Sequence, residues 1–339
     1  MKEKIKEKEM KKLQRILCVM LSMLLLTGAT LSVGAVEKMS VKEDDTSNQT
    51  MGEIEREVIG YLNEYHPEIT FGTEEYVEYL TEQLIDATDE QLKNRKDYEE
   101  ICTYAAKYLT LIDEKQGSSL NDTGDLTLSS DEKNITLSEI EEEDREERAK
   151  VEQSNAIAIQ NNVTQRTSSY NASNAIQYAR KWAEGRNADY PKYSKDCTNF
   201  VSQAVFHGGI SMKKPTSIPH GTNKTSTYWY SKKHKFTGST GQTSTEYDVS
   251  SSWINVEGFF NYAKNHGGSV IQCASLSVLQ DKCRPGDIVQ LYHKGGWFHS
   301  IIITGGKKGD RAYCGHTSNR KDRRVLDIDG ATKYRIIRF

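Results

Sequence analysis

The sequence predicts an α+β fold, and three features of the chain support this prediction. Apolar residues recur at three- and four-residue steps between positions 52 and 113, which is typical of amphipathic helices. Residues 174–185 and 197–205 show the same spacing. Between positions 288 and 317, β-prone runs alternate with Gly-rich turns, which indicates antiparallel strands. We therefore expect a helical N-terminal segment followed by a domain that contains both helices and strands.

The first 35 residues have the pattern of a secretory signal peptide. A Lys- and Arg-rich head precedes an apolar run, Ile16 to Leu26, and small residues then lead to Val33-Gly34-Ala35. The apolar run is nearer in length to a signal peptide than to a membrane-spanning helix, with an uncleaved N-terminal anchor as the alternative. We predict a mature protein that begins near Val36, is secreted, stays extracellular or cell-wall associated, and has no membrane contact after signal removal.

The rest of the chain divides into four parts by composition. Residues 36–50 are polar, and we predict that they are disordered. Residues 51–115 have the helical pattern and predict a small all-α N-terminal domain. Residues 116–169 are rich in Ser, Asp and Asn and contain a dense run of charges, which indicates a linker. Residues 170–339 form the predicted globular domain.

Charge is distributed unevenly along the chain. The net charge is −3, but residues 171–339 contain 25 Lys and Arg against 12 Asp and Glu, so the first half is strongly acidic. Outside the cell, a basic half suits an anionic cell-wall polymer, while the alternative is that the two halves attract each other. No nucleotide fingerprint or phosphate-binding Gly loop is visible. We expect no nucleic-acid partner.

Cysteine usage points to a reactive thiol. Six cysteines are present and five follow the predicted signal peptide, so at least one stays unpaired within a monomer. Cys273 and Cys283 could form a disulfide, which the sequence does not decide. The spacings lack the paired short motifs of a structural zinc site, although Cys314-Gly315-His316 could place two ligands on one strand face. We predict no metal ion and no cofactor.

Cys197 is the strongest candidate for a nucleophile. Apolar residues after it have helical spacing and Asp196 is a suitable N-cap, so Cys197 would lie in the first turn of a helix. Free backbone N–H groups and the helix dipole favour a thiolate there, and the same N–H groups could bind an oxyanion. The alternative is a small buried cysteine without chemistry.

His299 is the candidate base for this thiol. It belongs to a strongly β-prone run, Trp297 to Thr304, and strand alternation would put it on one face with Trp297, Ile301 and Ile303. The alternative is a core histidine whose ring nitrogens are satisfied by neighbours. Among the other histidines, which we expect to face solvent, His293 is the reserve candidate.

His316 is the candidate third member of the site. A symmetric hairpin loop over residues 305–310 would pair Thr304 with Arg311 and place His299 opposite His316, where one imidazole could orient the other. A register slip of two residues would bring Cys314 there instead.

The order of these motifs resembles the bacterial putative amidase domain family. The run from Asp196 to Gln203 matches the nucleophile motif of that family. Further matches follow the family's order along residues 170–339, at Ala175 to Ala179, the Tyr190 region, Gly208-Gly209, Ser252 to Val256, Pro285 to Val289, His299-Ser300 and His316 to Arg320. A long ordered series of this kind is a specific signal.

That family is similar to the papain-like cell-wall amidases and peptidases of the NlpC and CHAP type. The resemblance implies a nucleophile helix packed on an antiparallel sheet that carries the histidine, with Cys197 as nucleophile and His299 as general base. The third polar member varies in the wider group. His316 therefore rests on the pairing geometry, and Asn319 is its alternative.

Together these observations predict a secreted cysteine amidase or peptidase, a hydrolase that cleaves amide bonds through a thiolate and an acyl-enzyme. The predicted substrate is peptidoglycan or another cell-wall peptide. One alternative is a catalytically inactive cell-surface binding module. Another is a protein-directed cysteine protease or transpeptidase.

Overall fold

The computed structural model describes residues 48–116, 126–161 and 169–339, with only the backbone for positions 152–161. The described residues belong to one compact unit. The predicted signal peptide and most of the predicted disordered segment 36–50 lie outside them. Within the described ranges, no helix combines the length and the apolar character needed to cross a bilayer.

The N-terminal segment is helical, as the apolar spacing predicts. The first helix begins with a capping box, in which the side chains of Thr50 and Glu53 each accept the backbone N–H of the other residue. The helices of this segment are α1 (Met51–Tyr65), α2 (Glu74–Asp86), α3 (Glu90–Lys93) and α4 (Tyr98–Lys115).

The region predicted as a linker, 116–169, also contains helices. They are α5 (Ser130–Lys133) and α6 (Leu137–Asn161). Helix α6 is rich in charge, with 11 charged residues among its 25. This composition is typical of a linker, but it also suits a helix that is held by ion pairs on its surface.

The C-terminal region begins with two helices and a small sheet. Its first elements are α7 (Ala172–Trp182), α8 (Cys197–His207), β1 (Thr222–Asn223), β2 (Ser231–Thr237), β3 (Thr243–Ser250), α9 (Ser251–Ile254) and α10 (Val256–Asn265). Strands β2 and β3 form an antiparallel hairpin, and β1 lies parallel to β3 on its other side.

A six-stranded antiparallel sheet follows. Its elements are β4 (Ser269–Cys273), α11 (Leu276–Lys282), β5 (Ile288–His293), β6 (Gly296–Lys307), β7 (Asp310–Gly315), β8 (Arg320–Arg324), a 3-10 turn (Val325–Asp327) and β9 (Lys333–Arg338). The strand order is β4-β9-β5-β6-β7-β8. These helices and antiparallel sheets confirm the predicted α+β class.

Both faces of the six-stranded sheet are covered by helices. One face, which includes Leu291 and Ile301, packs in a single core with apolar residues of α1, α2 and α4. The other face, which includes Ile288 and Ile302, packs with α7, α8 and α10. Every residue of β5 and β9 is buried, which explains why these strands do not alternate cleanly between apolar and polar side chains.

The predicted all-α domain at 51–115 does not have a hydrophobic core of its own, because its helices share one core with the sheet. The amphipathic spacing of the helices shows that each needs an apolar partner surface, but not which one. In the structure that surface is partly the sheet, so the N-terminal helices form one of its covering layers.

Candidate functional site

Cys197 lies where the sequence predicts, as the first residue of helix α8, and its side chain is fully buried as a free thiol. Asp196 occupies the N-cap position, but the predicted side-chain cap is wrong, since its carboxylate accepts no backbone N–H of the first turn. Its carboxylate instead binds His316 Nδ1 at 2.7 Å and Asn199 Nδ2 at 2.8 Å. These bonds fix the chain immediately before the thiol.

The thiol lies against strand β6 at Ser300, the residue after His299. The Ser300 backbone N–H faces the sulfur and lowers the pKa of Cys197, although other effects outweigh it. The adjacent Thr198 hydroxyl lies 3.0 Å from the Ser300 hydroxyl, so the first turn of α8 is anchored to β6. The Cys197 side chain packs in a small apolar cluster with Val256, Tyr292 and Trp297.

The surroundings of Cys197 hold the thiol in its neutral form. Burial raises the pKa of Cys197 because a thiolate would lose its hydration. The nearby Lys195 ammonium opposes this shift, while the Asp113 carboxylate adds to it. In this arrangement the cysteine is therefore a protonated thiol at neutral pH.

His299 is also buried and neutral. Burial, with the positive charges of Lys195 and Arg320, holds the pKa of its imidazole well below the usual value. Among the described residues, its buried Nδ1 atom has no hydrogen-bond partner. A buried nitrogen left unpaired is costly for the fold, and it marks a position where a reacting group or a solvent molecule would be stabilised.

The strand pairing of His299 differs from the prediction. His299 pairs with Leu291 and Trp297 pairs with Tyr292, with a β-bulge between the two pairs. The prediction that His299 and Trp297 share one face is therefore wrong, because the extra residue of a bulge reverses the alternation. The imidazole does share the predicted face with Ile301, and its Nε2 atom lies beside Gly315 there.

Within the described residues, no hydrogen bond joins the Cys197 thiol to the His299 imidazole. The thiol approaches β6 at Ser300, beside His299 in the chain. Helix α8 packs on the face of Ile302, whereas His299 points to the face of Leu291 and Ile301. The thiol and the imidazole therefore lie at adjacent positions along β6 but on opposite faces of the sheet, and both are uncharged.

The predicted contact between His299 and His316 is not formed. Arg311 pairs with Gly306, not with Thr304, because a register shift between Ile303 and Gly305 moves the partner strand. Strand β7 ends at Gly315, so His316 lies beyond the ladder. Only Lys308 and Gly309 connect β6 to β7, whereas the prediction assumed a longer loop over residues 305–310, which explains the error.

Both ring nitrogens of His316 have hydrogen-bond partners other than His299. Its Nδ1 faces Asp196 Oδ2 at 2.7 Å, and its Nε2 faces the Trp182 carbonyl oxygen at 2.8 Å. The ring also stacks on Phe200 of α8, with centroids 3.9 Å apart. His316 therefore positions the start of α8 through Asp196 and Phe200.

The alternative third member, Asn319, does not bind the His299 ring either. Its side-chain oxygen accepts a hydrogen bond from Arg186 Nη1 at 3.0 Å, and Arg186 lies 3.0 Å from the Asp196 carboxylate. The reserve candidate His293 is buried, contrary to the expectation that it faces solvent, and it lies 3.8 Å from Glu99.

A hydrogen-bond network that the sequence analysis did not predict surrounds Asp196. Asn199 receives the Trp253 indole N–H at 2.9 Å and donates to the Pro191 carbonyl at 2.8 Å. The Asp196 N–H donates to Thr317 Oγ1 at 3.0 Å. The only sequence signal for this network is the Asp-Cys-Thr-Asn run itself, where the polar residues flank a nucleophile candidate at helical spacing.

Two cavities meet at Trp297, whose ring covers part of the Cys197 cluster. The larger, about 580 Å³, is bounded by α4 and α6 on one side and by Trp297, Arg335 and Phe260 on the other. The smaller, about 260 Å³, includes Asp113 and Asn255. Trp297 therefore links the Cys197 cluster to both cavities.

The fold and site define a class of protein: an α+β protein with a free thiol at the start of a helix that is anchored to an antiparallel strand. The chain belongs to the family described as the putative amidase domain, whose model matches residues 169–338. Membership in this family suggests a hydrolase that acts on amides.

One similar protein is the "Uncharacterized protein YhbB" of Bacillus subtilis (strain 168), which is 27% identical over 169 residues. The match covers 49% of this chain and 47% of that protein, so this chain spans about half of its relative's length. No solved structure matches the chain.

Proposed function

We propose that this protein is a secreted cysteine amidase that cleaves an amide bond in cell-wall peptidoglycan, with Cys197 as nucleophile and His299 as general base. The observation that carries this proposal is the place of the free Cys197 thiol, at the first residue of a helix and against the strand residue next to His299. We further propose that the nucleophile helix and sheet form a papain-like arrangement.

The chemistry follows from the two side chains. The imidazole of His299 takes the proton of the thiol, and the Cys197 thiolate attacks the amide carbonyl carbon to form a tetrahedral oxyanion. Backbone N–H groups at the start of α8 would stabilise that oxyanion. The C–N bond then breaks, the imidazolium protonates the leaving amine, and an acyl-enzyme remains.

Hydrolysis completes the cycle. The neutral imidazole takes a proton from water, and the oxygen attacks the thioester carbonyl. The C–S bond breaks, the proton returns to the sulfur, and the free acid leaves. One water is consumed for each amide cleaved, so no cofactor enters the balance.

Substrate and location rest on the sequence. The N-terminal leader pattern supports export, and peptidoglycan is an amide-rich polymer outside bacterial cells. The excess of positive charge in the C-terminal half supports an anionic partner less directly, because many of those residues already form ion pairs with the acidic N-terminal helices. Lys192 pairs with Glu74 at 2.7 Å, and Arg320 pairs with Asp86 at 2.5 Å.

The described arrangement corresponds to a resting form. Cys197 has no exposed surface, and neither it nor His299 is charged. Reaction requires residues near the bulge at Trp297 to move, so that the thiol and imidazole meet and a substrate can enter from the neighbouring cavities.

The test is the digestion of purified muropeptides, with mass spectrometry of the new amines and acids. Wild-type protein should release them, Cys197→Ala and His299→Ala should not, and Cys102→Ala should behave as wild type because that thiol lies in the helical core. Equal product from the wild type and Cys197→Ala would overturn the proposal.

Two further outcomes separate the alternatives. Transfer of the acyl group to an added amine would assign the protein as a transpeptidase. Retained binding to cell walls without turnover, unchanged by thiol alkylation, would assign it as a binding module.

A further inference from the structure

A second chemical centre lies in the small three-stranded sheet, apart from Cys197. On the β2–β3 hairpin, His234 pairs directly with Glu246, so both side chains emerge on the same face. Asp248 lies two residues further along β3 on that face. His220 comes just before β1, and the next residue, Gly221, donates its N–H to Asp248 Oδ1 at 2.9 Å.

Three of these side chains converge on one point. The Nε2 atoms of His220 and His234 lie 3.2 Å and 4.0 Å from the same oxygen of Glu246. One ligand atom from each of the three residues lies within 4.8 Å of the other two. In a tetrahedral zinc site, with bonds of about 2.0–2.1 Å, neighbouring ligand atoms are about 3.3 Å apart. Small side-chain rotations would reach that spacing.

A fourth residue, Asp248, lies near the Nδ1 atoms of both histidines. The carboxylate oxygens of Asp248 lie 3.3 Å from His220 Nδ1 and 3.4 Å from His234 Nδ1. Asp248 is buried, and the buried His234 Nδ1 atom makes no hydrogen bond within the part of the chain that the structure describes. When one imidazole nitrogen binds a metal, the other typically donates to a carboxylate, which fixes the ring and its tautomer.

We propose that His220, His234 and Glu246 bind one divalent transition-metal ion of the zinc class, with Asp248 as the carboxylate that orients both imidazoles. Two imidazoles and one carboxylate form a donor set that favours Zn²⁺ over Mg²⁺ or Ca²⁺, which prefer oxygen ligands. Solvent fills the fourth position. This proposal replaces the expectation that the protein holds no metal ion.

The position of the ligands indicates what the ion does. His220 lies outside the hairpin, in the chain that leads to the two-residue strand β1. A metal that joins it to His234 and Glu246 would tie that chain to β2 and β3. A small sheet gains stability in this way because the ion binds the folded form and not the unfolded one. This proposal is independent of the Cys197 chemistry.

The test uses the full chain after treatment with EDTA and dialysis. Titration with ZnCl₂ in a calorimeter should show one ion bound per chain, with a higher melting temperature after binding. Glu246→Gln and His234→Ala should weaken zinc binding at least tenfold. Glu246→Gln keeps the side-chain shape, which guards against loss of folding.

Two controls make the result specific. His266→Ala removes a histidine that contacts Lys213 and the Tyr262 carbonyl and should bind zinc as the wild type does. A Cys197→Ala background removes zinc capture by the reactive thiol. X-ray absorption of the zinc complex should show nitrogen and oxygen neighbours that include two imidazoles. No binding, equal binding by Glu246→Gln, or sulfur ligands in the spectrum would overturn the proposal.

Discussion

Lys195 and Asp113 form a fully buried ion pair of 2.9 Å that joins helix α4 to the residue two positions before Cys197. Asp113 also accepts the Val256 N–H at 2.7 Å, and its carbonyl oxygen accepts from Asn255. Gln116 donates to the Lys195 carbonyl at 3.0 Å. The end of α4 is therefore bonded to both chain segments that surround the thiol.

This pair leads to a first prediction on stability. Asp113→Ala leaves the Lys195 ammonium buried without its partner, so the free energy of unfolding should fall by about 3–5 kcal/mol. Denaturant unfolding would measure the loss. Lys192→Ala breaks an exposed pair with Glu74 and should cost less than about 1 kcal/mol. If both variants lost the same free energy of unfolding, burial would not be the reason that the Lys195–Asp113 pair stabilises the fold.

A second prediction concerns the pH dependence of stability on the acid side. The pKa of His299 is well below its usual value in the folded protein because of burial and neighbouring cations. As pH falls through about 6.5, the unfolded chain takes up a proton at this residue and the folded chain does not. The stability that His299 contributes is therefore present above this pH and is lost below it.

His299→Asn should flatten this acid-side loss. The check is the free energy of unfolding from urea titrations between about pH 7 and pH 5, where the wild type should lose more stability than His299→Asn does. His266→Asn, at a half-exposed ring, should lose as much as the wild type. If His299→Asn retained the full slope, the buried neutral state of the imidazole would be contradicted.

Much of the fold could be predicted from the sequence because it follows from local patterns. Helix α8 begins at Cys197 as its apolar spacing indicates, and β6 contains the Trp297 to Thr304 run. Local patterns do not predict which residues pair between neighbouring strands. The bulges near His299 and Gly305 change the strand register, and the sequence does not show at which residue each shift occurs.

The site could be predicted only in part for the same reason. Cys197 and His299 emerged from residue chemistry, and family motifs point to the same residues. The role of His316 could not be predicted, since its bonds to Asp196 and the Trp182 carbonyl depend on where the chain turns after β7. Nor could the zinc-type cluster, whose members come from three separate segments.

A third prediction tests the positioning role of His316. Asp196→Asn removes the carboxylate that holds His316, Arg186 and Asn199, and the start of α8 should lose its fixed orientation. A small misplacement of a nucleophile costs roughly 10²-fold in rate, so kcat should fall by about that factor while KM changes little. Asn319→Ala, which breaks only the contact with Arg186, should retain most activity.

The comparison also decides between the two third members. If Asn319→Ala lost as much kcat as Asp196→Asn, the contact of Asn319 with Arg186 would matter as much for the position of α8 as the contact of His316 with Asp196. If both were near the wild-type rate, neither contact would matter for the chemistry. His316→Asn should follow Asp196→Asn, because the amide can keep one of the two hydrogen bonds but not the stacked ring.

The last prediction concerns helix α6, which lies along the cavity at Trp297. Glu147 accepts the Trp297 indole N–H at 3.0 Å, and Asp144 accepts from the Tyr292 hydroxyl at 2.9 Å. Trp297 and Tyr292 are the aromatic residues that pack on Cys197. Because α6 is held here by polar contacts and little apolar burial, it should open more easily than the core.

Glu147→Ala should therefore raise the rate at which iodoacetamide alkylates Cys197, by several-fold at fixed pH. Peptide mapping identifies the labelled cysteine and measures the rate. Glu142→Ala is the matched control, because that carboxylate is exposed and pairs only with Arg145 on the same helix. An unchanged rate in Glu147→Ala would mean that the aromatic cover opens without α6, and the bulge at Trp297 would then be the element that limits access.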